Sequence, residues 1–114
     1  MNKFVEIRSY HLKPGTRAEF DRVAREMAVP MLLRWAVDVV AFGPSPHDDE
    51  SYYLMRAYGS LAERQQSQDD FYGSDEWKSG PREAILALID SFTSVVIEMA
   101  KCSTHRRRYR NLSF

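Results

Sequence analysis

Residues 4–12, FVEIRSYHL, alternate with a period of two: Val5 and Ile7 point one way, Glu6, Arg8 and Tyr10 the other, as in a β-strand. After a turn at Pro14 and Gly15 the period lengthens. Phe20, Val23, Ala24 and Met27 fall at helical spacing, Thr16 and Glu19 form a capping-box pattern, and Pro30 ends or kinks the run. β-Branched and aromatic residues return in RWAVDVVAFGP, stopped by Gly43 and Pro44, and again in SYYLMRAYG. The polar loop SPHDDE between them predicts an antiparallel hairpin. Three helix starts follow, at Ser60 with Glu63, at Ser74 and at Pro81, with breaks at Gly73 and Gly80. The last strand is SFTSVVIEM, ending near residue 100.

Strand, helix, strand, strand, helices, strand is the β-α-β-β-α-β order of an α+β, ferredoxin-like unit. It predicts an antiparallel sheet with helices over one face and strands one and three at the centre. A chain of 114 residues fits one such domain, placed at 1–101, with 102–114 as a basic C-terminal tail containing HRRRYR.

Sorting strand residues by alternation gives an apolar set, including Val5, Ile7, Trp35, Val37, Val39, Tyr53, Met55, Val95, Ile97 and Met99, which is expected to carry the helices. The opposite set is mixed. It holds Glu6, Arg8, Tyr10, Asp38, Tyr52, Arg56, Tyr58 and Glu98 among Phe4, Val40, Phe42, Leu54, Phe92 and Val96. Large apolar groups among few charges predict a covered face, and a second copy of the chain is the simplest cover. Two sheets paired in this way would enclose a polar-lined chamber. Arg8, Tyr10, Arg56, Tyr58 and Glu98 are the candidate ligand contacts, for a small polar or anionic molecule; Asp38 and Glu6 are the candidate bases, with Arg8 or Arg56 stabilising an oxyanion. The competing reading is a non-enzymatic scaffold or interaction dimer whose interior charges are paired with one another.

Composition narrows the classes. Lys+Arg and Asp+Glu both number 16, so no global field steers the chain to nucleic acid or to a membrane surface, and HRRRYR reads as a solvated tail. One cysteine, Cys102, excludes an internal disulfide framework and points to a reducing, cytoplasmic setting. No signal peptide or membrane-spanning run is expected. His11, His47 and His105 share no metal-ligand spacing, Asp48, Asp49 and Glu50 read as a solvated turn, and no metal or cofactor is expected. Neither a nucleophile elbow nor a phosphate loop occurs.

The stretches EIRSYHLKPGTRAEF, SYYLMRAYGSLAERQQSQDDFYGSDEW and GPREAILALI resemble the NIPSNAP family over roughly residues 4–100. The resemblance rests on a Lys-Pro-Gly turn after the first strand, an aromatic-Leu-x-Arg strand, and a Phe-Tyr pair before a Trp helix. It implies a dimeric α+β barrel, a ferredoxin-like unit paired face to face, with no settled activity. Eukaryotic relatives are associated with mitochondria and vesicle traffic; without an evident transit peptide that role is not carried over. The wider superfamily includes cofactor-independent monooxygenases, haem-degrading enzymes and lyases, among which fold alone does not choose. Haem would need an axial donor that the mixed face does not supply.

Overall fold

The computed structural model describes residues 2–99. Its strands are β1 Phe4–Leu12, β2 Asp38–Pro44, β3 Ser51–Tyr58 and β4 Ile89–Glu98, forming one antiparallel sheet in the order β2-β3-β1-β4. The ferredoxin-like architecture is the one the pattern predicts, with the first and third strands central. The basic tail from residue 102, with Cys102 and His105, lies outside the described residues.

The first helical stretch runs further than its proline suggests. Helix α1 (Arg17–Val23), a π-turn (Ala24–Ala28) and α2 (Val29–Arg34) follow one another directly. Within the π-turn the Val29 N–H reaches back to the Ala24 carbonyl, and this wider turn accommodates Pro30, which has no amide to give. Thr16 does not form the expected capping box: its hydroxyl donates to the Lys13 carbonyl at 2.7 Å, and Glu19 pairs with Arg22 instead. The helix ends on a Schellman motif in which Val37 N–H bonds to the Leu32 carbonyl and Ala36 N–H to that of Leu33. Ala36 takes the left-handed position (φ 60°) that glycine usually fills. Trp35 and Ala36 therefore belong to a helix end, not to β2, which starts at Asp38.

Three further helices, α3 (Leu61–Tyr72), α4 (Asp75–Ser79) and α5 (Arg82–Leu88), cover the same side of the sheet. Ser60 caps α3 by accepting the Glu63 N–H, and Ser74 caps α4 by accepting that of Trp77, each at 3.1 Å. β4 begins at Ile89, two residues earlier than predicted. The core joins Tyr10, Leu12, Tyr52 and Leu54 of the sheet to Phe20, Val23, Leu32, Phe71, Trp77 and Ile85 of the helices. Among the described residues no helix is long and apolar enough to cross a membrane.

The helices lie on the face opposite to the one expected. Glu6, Tyr10, Tyr52, Leu54, Arg56 and Tyr58 are buried beneath them, whereas Val95 (53% exposed) and Ile97 (39%) lie open on the other face beside half-buried Ile7 and Met55. The chamber expected between the mixed face and a second copy is thus replaced by an interior between that face and the chain's own helices. Two features reverse the reading. The helix side of the sheet supplies large rings and Leu54 to the core as well as charges, and the charges meet a helix that is itself polar. β2 also carries a bulge between Val39 and Ala41, so Val39 pairs with Arg56 on the helix face and Asp38 pairs with Ala57 on the open one.

Candidate functional site

Alternation along β1 and β3 places Glu6 beside Arg56 and Arg8 beside Leu54, all on the helix face. Above them α3 contributes Arg64, Gln68 and Tyr72, which are four residues apart and so form one stripe. Glu6 is the hub. Its Oε1 accepts from Arg56, through Nε at 3.1 Å and also through Nη2, and from Gln68 at 3.0 Å; its Oε2 accepts from Arg64 through Nε at 3.2 Å and again through Nη2. Arg8 Nη2 stands 3.6 Å from the same carboxylate. Burial alone would raise the Glu6 pKa, but the Arg56 charge, the bonds from Arg64 and Gln68 and the Arg8 charge bring it down from 4.5 to about 2. With both oxygens occupied and its carboxyl held low, Glu6 is placed to hold the arginines rather than to take up a proton.

The hub is not electrically balanced. Three guanidiniums surround one carboxylate, and Arg56 and Arg64 are the two that it binds directly. Arg8 gives its Nε–H to Ser94 Oγ at 3.1 Å and an Nη1–H to Tyr72 Oη at 3.3 Å, so two of its five N–H groups are used. Its guanidinium carbon lies 4.8 Å from the Phe92 ring centroid.

Arg8 opens into a cleft of about 350 Å³ between the β1–β4 side of the sheet and helices α3 to α5. That size suits a small ligand. Gln68, Tyr72 and Arg82 are its other polar residues of note, and Trp77, Ile85, Leu86 and Phe92 form apolar wall. The opening exists because β4, an edge strand, extends past the helical cover: Phe92 is half exposed while Trp77 and Ile85 are buried. A second hollow, beside the π-turn, is apolar and only about 40 Å³, room for little more than a water molecule.

Of the residues singled out by sequence, Glu6, Arg8 and Arg56 meet at the hub. Tyr58 joins it through Gln68, which donates to its hydroxyl at 3.3 Å. Tyr10 lines the cleft, and burial pushes its phenol up to about 12. Glu98 stands apart, half exposed and paired with Lys3 at 3.1 Å. Asp38 is exposed on the other face, where it accepts from Asn2 Nδ2 at 3.2 Å; the premise that it shares a face with Glu6 fails at the β2 bulge. His47 stays in the exposed hairpin loop, 2.6 Å from Ser45 Oγ. No three His, Cys, Asp or Glu side chains converge among the described residues.

Sequence reasoning passed over Arg64, Gln68, Tyr72 and Arg82. The first three had a signal: LAERQQSQDDFY carries almost no apolar stripe, so its inward face had to be polar and needed charged partners on the sheet.

A family model described as NIPSNAP matches residues 5–104. Among solved structures, a NIPSNAP family protein from Agrobacterium tumefaciens superposes with a TM-score of 0.80 at 17% identity, over 88% of each chain. A second from that organism, described as of unknown function, gives 0.80 at 21% identity over 88% of this chain and 90% of its own. A putative antibiotic biosynthesis monooxygenase from Bordetella bronchiseptica gives 0.71 at 18% identity over 89% and 100%. No curated protein matches.

Proposed function

The chain belongs to the NIPSNAP family, and from that premise and the geometry of its cleft we propose that it binds a small organic anion between its sheet and helices α3 to α5. The carrying observation is Arg8, a largely buried cation with N–H groups to spare at the end of a cleft whose lining contains no carboxylate. Arg8 shares the single Glu6 carboxylate, 3.6 Å away, with Arg56 and Arg64; a buried cation with so small a share of counter-charge is costly, and an anion that meets it recovers part of the cost. Apolar wall on the ligand's other side adds affinity through burial. The lack of a carboxylate on the wall favours binding over proton abstraction by an acidic side chain.

The partner we propose is a second copy, seated on the open sheet face. Val95, Ile97, Ile7 and Met55 form an aliphatic surface there that two copies would hide together. The scaffold reading is retained only in part: Arg56 and Arg64 are paired, but Arg8 is not fully so.

Isothermal titration with benzoate, phenylacetate and neutral benzamide tests the site. Binding of a carboxylate, absence of benzamide binding and at least a tenfold loss in Arg8→Ala are expected. Equal affinity in folded Arg8→Ala, or no carboxylate binding to the wild type at millimolar concentration, overturns the proposal. Arg8→Lys, which keeps charge and loses the planar fork, should fall between them.

A further inference from the structure

The hydroxyl of Tyr72 is placed differently from the others around the cleft. It accepts N–H groups from two guanidiniums, Arg56 Nη1 at 2.8 Å and Arg8 Nη1 at 3.3 Å. A phenol oxygen has two acceptor positions, and both are taken. Its O–H can then only donate, and no acceptor for it occurs among the described residues. The ring is fixed by edge contacts with Phe71 (centroids 5.0 Å apart) and Trp77 (5.3 Å), so the donor is aimed in advance. Tyr10 also lines the cleft, but its oxygen is not held between two guanidiniums as that of Tyr72 is. Gln68 has nothing left to give, since its amide N–H groups go to Glu6 and Tyr58.

We propose that Tyr72 is the neutral donor of the anion site, its O–H binding one oxygen of a ligand carboxylate whose other oxygen meets Arg8, with the ligand's flat apolar body against Trp77 and Phe92. This rests on the anion-binding reading above and names the ligand class: a monoanionic aromatic carboxylate. Arg8 and Tyr72 are already in hydrogen-bond contact, so their remaining donors are neighbours, as the two oxygens of a carboxylate require. A phosphate dianion fits less well. It calls for a second fixed cation, and Arg56 and Arg64 are committed to Glu6, while Arg82 sits exposed at the rim.

The test compares wild type, Tyr72→Phe and Tyr10→Phe in titrations with phenylacetate and inorganic phosphate, following heat and the near-ultraviolet tyrosine difference spectrum. Tyr72→Phe should lose about tenfold in phenylacetate affinity, equivalent to about 1.4 kcal/mol, and should lose the ligand-induced tyrosine band. Tyr10→Phe should change affinity less than about threefold and keep the band, and phosphate should bind more weakly than phenylacetate. If phenylacetate binds in an Arg8-dependent way but Tyr72→Phe matches wild type in affinity and spectrum, the Tyr72 role is overturned and the anion site stands. If phosphate binds as tightly, the ligand class is overturned. If no carboxylate binds the wild type, both fall together. Should Tyr72→Phe fail to fold, the wild-type spectrum decides, and a phenylacetate complex without a tyrosine shift overturns the role.

Discussion

Replacing Glu6 with glutamine keeps the shape of the hub and removes its only anion. Glu6 is fully buried, Arg56 is 1% exposed, and each of the two guanidiniums bound to the carboxylate donates through two nitrogens. Breaking a buried pair from one side typically costs about 3–5 kcal/mol, because the remaining charge stays buried without a partner. Proton linkage gives a second figure of the same order. A Glu6 carboxyl at about 2 when folded, against 4.5 when unfolded, contributes about 3 kcal/mol at about 1.4 kcal/mol per pH unit. Since the folded value is depressed, that contribution is complete above pH 4.5 and is lost as pH falls through 2. Against a total stability of about 5–15 kcal/mol for a domain, Glu6→Gln should remove a large share. Urea denaturation at fixed protein concentration, followed by circular dichroism, should show a loss of about 3–5 kcal/mol at neutral pH and a gap to wild type that narrows below pH 4.5. A loss under about 1 kcal/mol, below the range for a buried pair, or a gap that stays constant on acidification, would show that the Glu6 charge does not hold the hub together.

Ala36→Gly should stabilise the fold by about 0.5–1 kcal/mol in the same denaturation assay, because it relieves a left-handed alanine and the relief exceeds the added chain entropy. Val95→Lys, on the open face and already half exposed in one protomer, should leave the protomer folded and shift a dimer to monomer in sedimentation; an unchanged dimer would place the interface elsewhere. Arg8→Ala and Tyr72→Phe should each weaken carboxylate binding about tenfold or more by titration, with far-ultraviolet circular dichroism retained.

The order of elements and the central position of β1 and β3 were legible because strand and helix periods differ sharply along the chain. Boundaries failed where the local signal was absent. The helix ending at Arg34 carries alanine, not glycine, at its left-handed position, so nothing in RWAVDV marks a stop, and its Schellman contact between Leu32 and Val37 forms only in the folded chain. Pro30 looked like an end because the π-turn that accommodates it has no residue signature. The inverted faces have a related cause. Alternation says which residues share a side, but the side that receives the helices depends on long-range fit, and an aliphatic row on a two-layer unit can be the row left open. Glu6, Arg8 and Arg56 were found because they share a strand face; Tyr72 was missed because its importance lies in which two guanidiniums reach its oxygen.

Whether Arg8 takes an organic anion is decided by a crystal structure of the protein grown with phenylacetate. The ligand should lie in the β1–β4 cleft, its carboxylate within hydrogen-bonding distance of Arg8 and Tyr72 Oη and its ring against Trp77 and Phe92. Phenylacetate bound on the open sheet face, or a cleft left empty at a saturating concentration, would contradict it.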